Sequence, residues 1–203
     1  MKIVELIIDE NEDMAGVDAI SIVESPAIES NFVALGEQKD PYKFAKVDTE
    51  KRILMGGILI PNKTIYRRDL NGDEYYIYFS KETIRKAAEL YFINANQSNT
   101  TYEHFESVTG CTLIESWFIE DESVDKSKLY NLGLPVGSWC GTMKINNDEI
   151  WNDYVKTGRV KGFSIEGYFA DKFETKMSRN HIVEEILAGL DILEIIQNLY
   201  GKK

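Results

Sequence analysis

Histidine, cysteine and proline are scarce in this chain of 203 residues, which holds two, two and four of them. The two cysteines, Cys111 and Cys140, are too few for a disulfide framework. They read as small buried hydrophobes in a reducing compartment. Two histidines, with no HExxH or CxxC pattern, leave zinc without a ligand set, and no cofactor is expected, an all-carboxylate magnesium site being the alternative that so acidic a chain leaves open. No glycine loop of the phosphate-cradling type is present. Long apolar runs are missing too. The best internal one, residues 53–60, is strand-sized and broken by Gly56 and Gly57, so no membrane span is expected. The opening MKIVELIIDENED turns acidic too early for a secretory signal, and the chain is expected to stay in the cell that makes it. Positive charge is also short. Lys and Arg number 23 against 34 Asp and Glu, a net charge of −11 whose field repels phosphate backbones and argues against nucleic-acid binding.

What is present suits a globular protein, with 43% hydrophobic and 28% charged residues. The length accommodates one domain with extensions and a core that needs no staples. Eleven Tyr, nine Phe and three Trp favour strands. Residues 3–8 predict a short buried strand, and the stretch around Pro26 an extended arm with patches of strand. A charged linker over 38–52 sets a boundary near residue 45. The expected division is an arm over 1–45, a core over 46–172 and a tail over 173–203.

Within the core, RILMGGILIPN predicts a strand with a close backbone approach at its glycine pair. Asn71-Gly72 marks a turn between extended segments. Ser80 predicts an N-cap for a helix over 81–92, with Ile84, Ala87, Ala88 and Tyr91 on one face. Further strands are expected at GCTLIESWFIED, LGLPVGSWCGTMKI and VKGFSIEGYFA. Between the last two, Asn147 can cap a helix over 148–156 whose buried stripe is Ile150, Trp151, Tyr154 and Val155. Strands in runs, without a regular βαβ beat, point to an α+β fold with an antiparallel or mixed sheet or a small barrel. In the tail, Ile182, Ile186, Gly189, Leu193, Ile196 and Tyr200 repeat as a coiled-coil seam does, predicting an amphipathic interaction helix and a route to a homo-oligomer.

If the chain needs a histidine base, only His104 and His181 can supply it. His181 opens the tail helix beside Asn180 and reads as an exposed first-turn residue. His104 closes a polar loop between Glu103 and Phe105. Ser164 lies between Gly162 and Gly167 in an otherwise apolar strand, a poor packing choice that lets a peptide approach and backbone N–H groups turn inward. The bland alternative is a strand serine bonded to a neighbour. The spacing G-x-S-x-x-G, with His104 before Ser164, is not the α/β-hydrolase elbow, but a triad is a geometry and not an order. The acidic runs at 9–13 and 120–125 read as solvated loops.

Several segments match a known family in order along the chain. They are GVDAISIVESPAIESNF, GGILIPNKTIYR, YIYFSKETI, EHFE, LIESWFIED, GSWCGTMKINNDEIW and VKGFSIEG. On these the chain resembles the prohead (capsid-maturation) proteases of tailed phages, in particular the XkdF-like branch. The resemblance implies a serine endopeptidase with a mostly antiparallel β-barrel core surrounded by helices, similar to herpesvirus assembly proteases. It implies action inside the immature capsid, in the cytoplasm of the bacterial host, on segments of scaffold and major capsid proteins and on the protease itself. The family's histidine falls on His104 and its nucleophile on Ser164. Its carboxylate best matches Glu115, with Glu166 and Glu103 as rivals. Backbone N–H groups near Gly162, Phe163 and Ile165 are the oxyanion candidates. A non-catalytic capsid-assembly protein that keeps the fold is the competing reading.

Overall fold

The computed structural model describes residues 2–9, 12, 15–28, 33–35 and 51–172. The expected tail helix, His181 and the expected boundary near residue 45 lie outside the described residues. Twelve strands are distributed over three four-stranded sheets among the described residues. The first sheet joins β12 (Ala170–Asp171), β1 (Lys2–Ile7), β6 (Glu74–Phe79) and β5 (Ile65–Arg68), in that order. The second joins β3 (Val33–Leu35), β4 (Ile53–Leu59), β10 (Trp139–Ile145) and β9 (Cys111–Phe118). The third, which carries the candidate site, joins β11 (Gly162–Tyr168), β2 (Gly16–Val23), β7 (Thr100–Tyr102) and β8 (Glu106–Val108).

The α+β class and the mixed strand directions agree with the sequence. Most pairs are antiparallel, while β1–β6 and β2–β7 run parallel. The closed barrel does not form. The sheets remain open, with β11 and β8 at the edges of the third sheet and β3 and β9 at those of the second. Closure needs continuous ladders, and β3, β7 and β8 have three residues each and β12 two. The sheets bury their apolar faces by packing together instead, around Ile20, Ile22, Leu54, Ile58, Trp139 and Phe163.

Local elements follow their sequence signals closely. Ser80 caps α1 (Lys81–Ile93), its Oγ accepting from the N–H of Thr83 at 3.3 Å. Ile84, Ala87, Ala88 and Tyr91 are buried on one face. In β4, Gly57 has no room for a side chain, because a Cβ there would stand 2.9 Å from Leu134 Cδ1. Asn147 does cap the segment that follows β10, its Oδ1 accepting from the N–H of Ile150 at 3.0 Å. That segment, however, is π-helical over Ile150–Val155, with the N–H of Lys156 donating to the carbonyl of Trp151, five residues back. The wider winding keeps Ile150, Trp151 and Val155 all buried, which a strict 3.6-residue period would spread further around the helix.

The N-terminal segment contributes a strand to each of the three sheets, β1 to the first, β3 to the second and β2 to the third. Strand β2 is central in the third sheet, hydrogen-bonded to β11 on one side and β7 on the other. Val17, Ile20, Ser21, Ile22 and Val23 on it are buried.

Candidate active site

His104 is placed by a tight turn. Between β7 and β8 the N–H of Phe105 donates to the carbonyl of Tyr102 at 3.1 Å, and the two central residues, Glu103 and His104, both have positive φ, 51° and 62°. Two successive left-handed residues form the turn that suits a twisted hairpin, although neither is glycine here. Such backbone persists only where the surroundings over-determine it. Those surroundings come from β2 and the residue after it. The N–H of Glu103 donates to the carbonyl of Ile22 at 3.2 Å, and the N–H of His104 to Ser21 Oγ at 3.1 Å. The Glu103 carboxylate accepts from the N–H of Glu24. Ser21 is fully buried, and its hydroxyl donates onward to the carbonyl of Thr101 at 3.4 Å.

A second clamp holds the base of the turn. Glu24 Oε1 accepts from Tyr102 Oη at 3.2 Å and from Arg159 Nε. The Arg159 guanidinium lies 5.1 Å from the Tyr154 ring and 5.9 Å from that of Tyr102. The hydrogen bond from Arg159, followed by that from Tyr102, holds the Glu24 carboxyl below its ordinary range.

Ser164 enters on β11. Phe163 is buried and Ile165 packs against the core, so the alternation of a strand turns Ser164 and Glu166 to the other face. Ser164 stands directly opposite Ser21, and Ser21 opposite Thr101, which sets the three in one row across the sheet. Two residues along, Glu166 reaches the histidine, with Oε1 3.3 Å from His104 Nδ1. The same oxygen accepts from Thr101 Oγ1. Both side chains are partly open to solvent, His104 at 40% and Glu166 at 32%. Asp18 lies near enough that burial, and then the Glu166 charge, raise its carboxyl above the ordinary range.

The structure therefore brings His104 and Glu166 together on the sheet that carries Ser164. No hydrogen bond joins the Ser164 hydroxyl to His104 among the described residues. Glu115 stands elsewhere. It lies on β9, in the second sheet, where Oε2 accepts from Thr142 Oγ1 at 2.6 Å and from Lys126 Nζ. Those bonds, that of Lys126 first, lower its carboxyl. Glu103 is engaged with the backbone of Glu24. Of the three candidate carboxylates, Glu166 is the one that faces the imidazole. Gly162, Phe163 and Ile165 are paired with β2 on one side, and an antiparallel edge strand directs alternate N–H groups away from its partner.

Ser21, Thr101, Glu24 and Arg159 are participants that the sequence reading missed. Their partners lie 65 to 135 residues away along the chain, and nothing in the local pattern signals them. No group of three or more His, Cys, Asp or Glu side chains converges as a metal site among the described residues.

A family model described as "Putative phage serine protease XkdF" matches residues 42–174. No curated protein and no solved structure matches the chain significantly.

Proposed function

The chain belongs to this family of phage serine proteases, matched over residues 42–174, and from that premise we propose that it is a serine endopeptidase using Ser164, His104 and Glu166. The observation that supports the residue assignment most is the 3.3 Å contact between Glu166 and His104 Nδ1, made from the strand that also bears Ser164. The contact favours the tautomer with a proton on Nδ1 and leaves Nε2 free to accept one. In this reading Ser164 Oγ attacks the scissile carbonyl carbon while its proton passes to His104 Nε2. The oxyanion is met by outward N–H groups of β11 in the Gly162 to Ile165 stretch. Collapse breaks the C–N bond, and the imidazolium gives its proton to the leaving amine. Water repeats the sequence on the acyl-enzyme and restores Ser164. Glu166 stabilises the imidazolium in both halves and does not itself attack.

The biological setting is capsid maturation. The substrates are segments of the phage scaffold and major capsid proteins, with self-cleavage in addition, inside the immature capsid in the bacterial cytoplasm. The ordered segment resemblance supports this setting.

The test is to incubate the purified full chain alone and with scaffold protein, and to follow fragments by mass spectrometry. Fragments that vanish in Ser164→Ala and His104→Ala support the reading. Fragmentation of Ser164→Ala at the wild-type rate refutes it. A wild-type chain that cuts neither itself nor scaffold, while binding scaffold, supports the non-catalytic assembly protein instead.

A further inference from the structure

Ser164 also borders a half-open cavity of about 260 Å³. Aliphatic and aromatic side chains make up most of its lining and come from all three sheets, Leu6, Ile65, Ile77 and Phe79 from the first, Leu59 from the second and Ile165 from the third, with polar groups among them. One charged side chain lines it, that of Arg67 on β5. The Arg67 guanidinium donates to the carbonyl of Tyr66 at 2.9 Å and pairs with no carboxylate among the described residues. The contrast with its neighbour is plain, since Arg68 is paired with Glu74 at 2.7 Å. Arg67 is exposed at the rim of the hollow, and partial desolvation there lowers its pKa from its ordinary value. An acidic chain with a net charge of −11 has carboxylates to spare, yet none neutralises this guanidinium among the described residues. An arginine fork with no carboxylate partner among the described residues, at the rim of a hollow with aliphatic walls, is suited to a guest with a hydrocarbon stem and a carboxylate end.

We propose that this cavity is a substrate side-chain subsite, and that it selects a glutamate side chain of an extended peptide whose carboxylate pairs with Arg67. The inference rests on the reading of Ser164 as nucleophile only for the position of the subsite next to the scissile bond. Its recognition chemistry is independent of cleavage. The cavity has room for a long side chain, and in this proposal the methylenes of glutamate lie against the aliphatic part of the wall while the carboxylate stays at the guanidinium. Glutamine has the same shape without the charge, so the two isolate the contribution of Arg67.

The experiment uses pools of short peptides, capped at both ends, with a fixed central Glu, Gln or Leu and mixed flanking residues. Retention on immobilised full-length Ser164→Ala protein reads recognition, and cleavage by the wild type reads turnover. The expected result is that the Glu pool is retained about tenfold more than the Gln pool, with the margin narrowing at high salt. Arg67→Met is expected to erase that margin, and Arg67→Lys to keep part of it. Equal retention of the Glu and Gln pools overturns the proposal without recourse to any Arg67 variant. So does a preference for Glu that survives in Arg67→Met. Retention of the Glu pool with no cleavage of any pool by the wild type upholds the subsite and refutes the protease reading. Cleavage of the Glu and Gln pools at equal rates with equal retention does the reverse.

Discussion

Replacing Glu166 by Gln isolates the electrostatic part of the histidine's support. The amide keeps the size of the carboxylate and an oxygen able to face Nδ1, so what is removed is the charge that stabilises the imidazolium. At the observed 3.3 Å, two unit charges interact by about 5 kcal/mol at an effective dielectric of about 20, and by about 1 kcal/mol in bulk water. Roughly a third of each side chain is open to solvent, which draws the value toward the lower end. About 1.4 to 2.8 kcal/mol is then the loss at the transition state, a fall in kcat of about 10- to 100-fold. This is well short of the roughly 10⁴-fold known for a fully buried triad carboxylate. KM should move little, because the imidazolium exists only during reaction. The assay is steady-state cleavage of a quenched fluorescent peptide taken from a mapped self-cleavage site, with thermal melting to confirm an unchanged fold. Glu115→Gln is the control, since Glu115 serves Lys126 and Thr142 in another sheet, and its effect on kcat should stay below about threefold. Wild-type kcat in Glu166→Gln, or a larger loss in Glu115→Gln than in Glu166→Gln, would refute the assignment.

Three further outcomes are expected. Ser164→Ala and His104→Ala should each remove nearly all cleavage, and the double variant should be no worse than either alone, because both fail at the same step; additive losses in the peptide assay would contradict a shared step. Cys111 and Cys140, 1% and 0% exposed, have thiols that burial pushes up to about 12, so iodoacetamide at pH 8 should label neither until denaturant is added. The unfolded thiols ionise near 9 and the folded ones near 12, so this contribution to stability is full below about 9 and is lost as the pH rises toward 12, which chemical denaturation across that window measures. Glu5 is held below its ordinary 4.5 chiefly by the hydrogen bond from Lys172, with Ser80 and Tyr78 assisting, so Glu5→Gln should lower stability by about 1 kcal/mol at neutral pH. Because the folded value is the depressed one, the gap between wild type and variant should persist down to the ordinary value and close as the pH falls through the folded one.

The parts of the site that were legible in the sequence are those whose reasons are local. A serine between two glycines is conspicuous in an apolar strand, and a chain with two histidines offers few bases. Helix α1 was legible for the same reason, since Ser80 and the spacing of Ile84, Ala87, Ala88 and Tyr91 act within one stretch of chain. Which carboxylate faces His104 was not fixed locally. Glu115 and Glu166 are both acidic residues on strands, and only the pairing of β11 with β2 and of β2 with β7 turns Glu166 toward the Glu103-His104 turn. The parallel β2–β7 pair joins residues 80 apart, and no turn signal announces such a pairing, whereas Asn71-Gly72 announces the β5–β6 hairpin directly. The same non-locality explains the barrel that did not close. Alternation along each strand predicts that a strand exists and which face is apolar, but closure depends on how many residues neighbouring strands share, and β7 and β8 share only three pairs. Sheet order is also what makes the site plausible as chemistry. An edge position leaves one side of β11 outside the β2 ladder, and the central position of β2 gives the strained histidine turn a buried, hydrogen-bonded floor in Ser21. The proposed pair of Ser164 and His104 needs a rigid centre under the base and an accessible edge at the nucleophile, and the order β11-β2-β7-β8 puts buried Ser21 beneath the histidine turn and Ser164 on an edge strand.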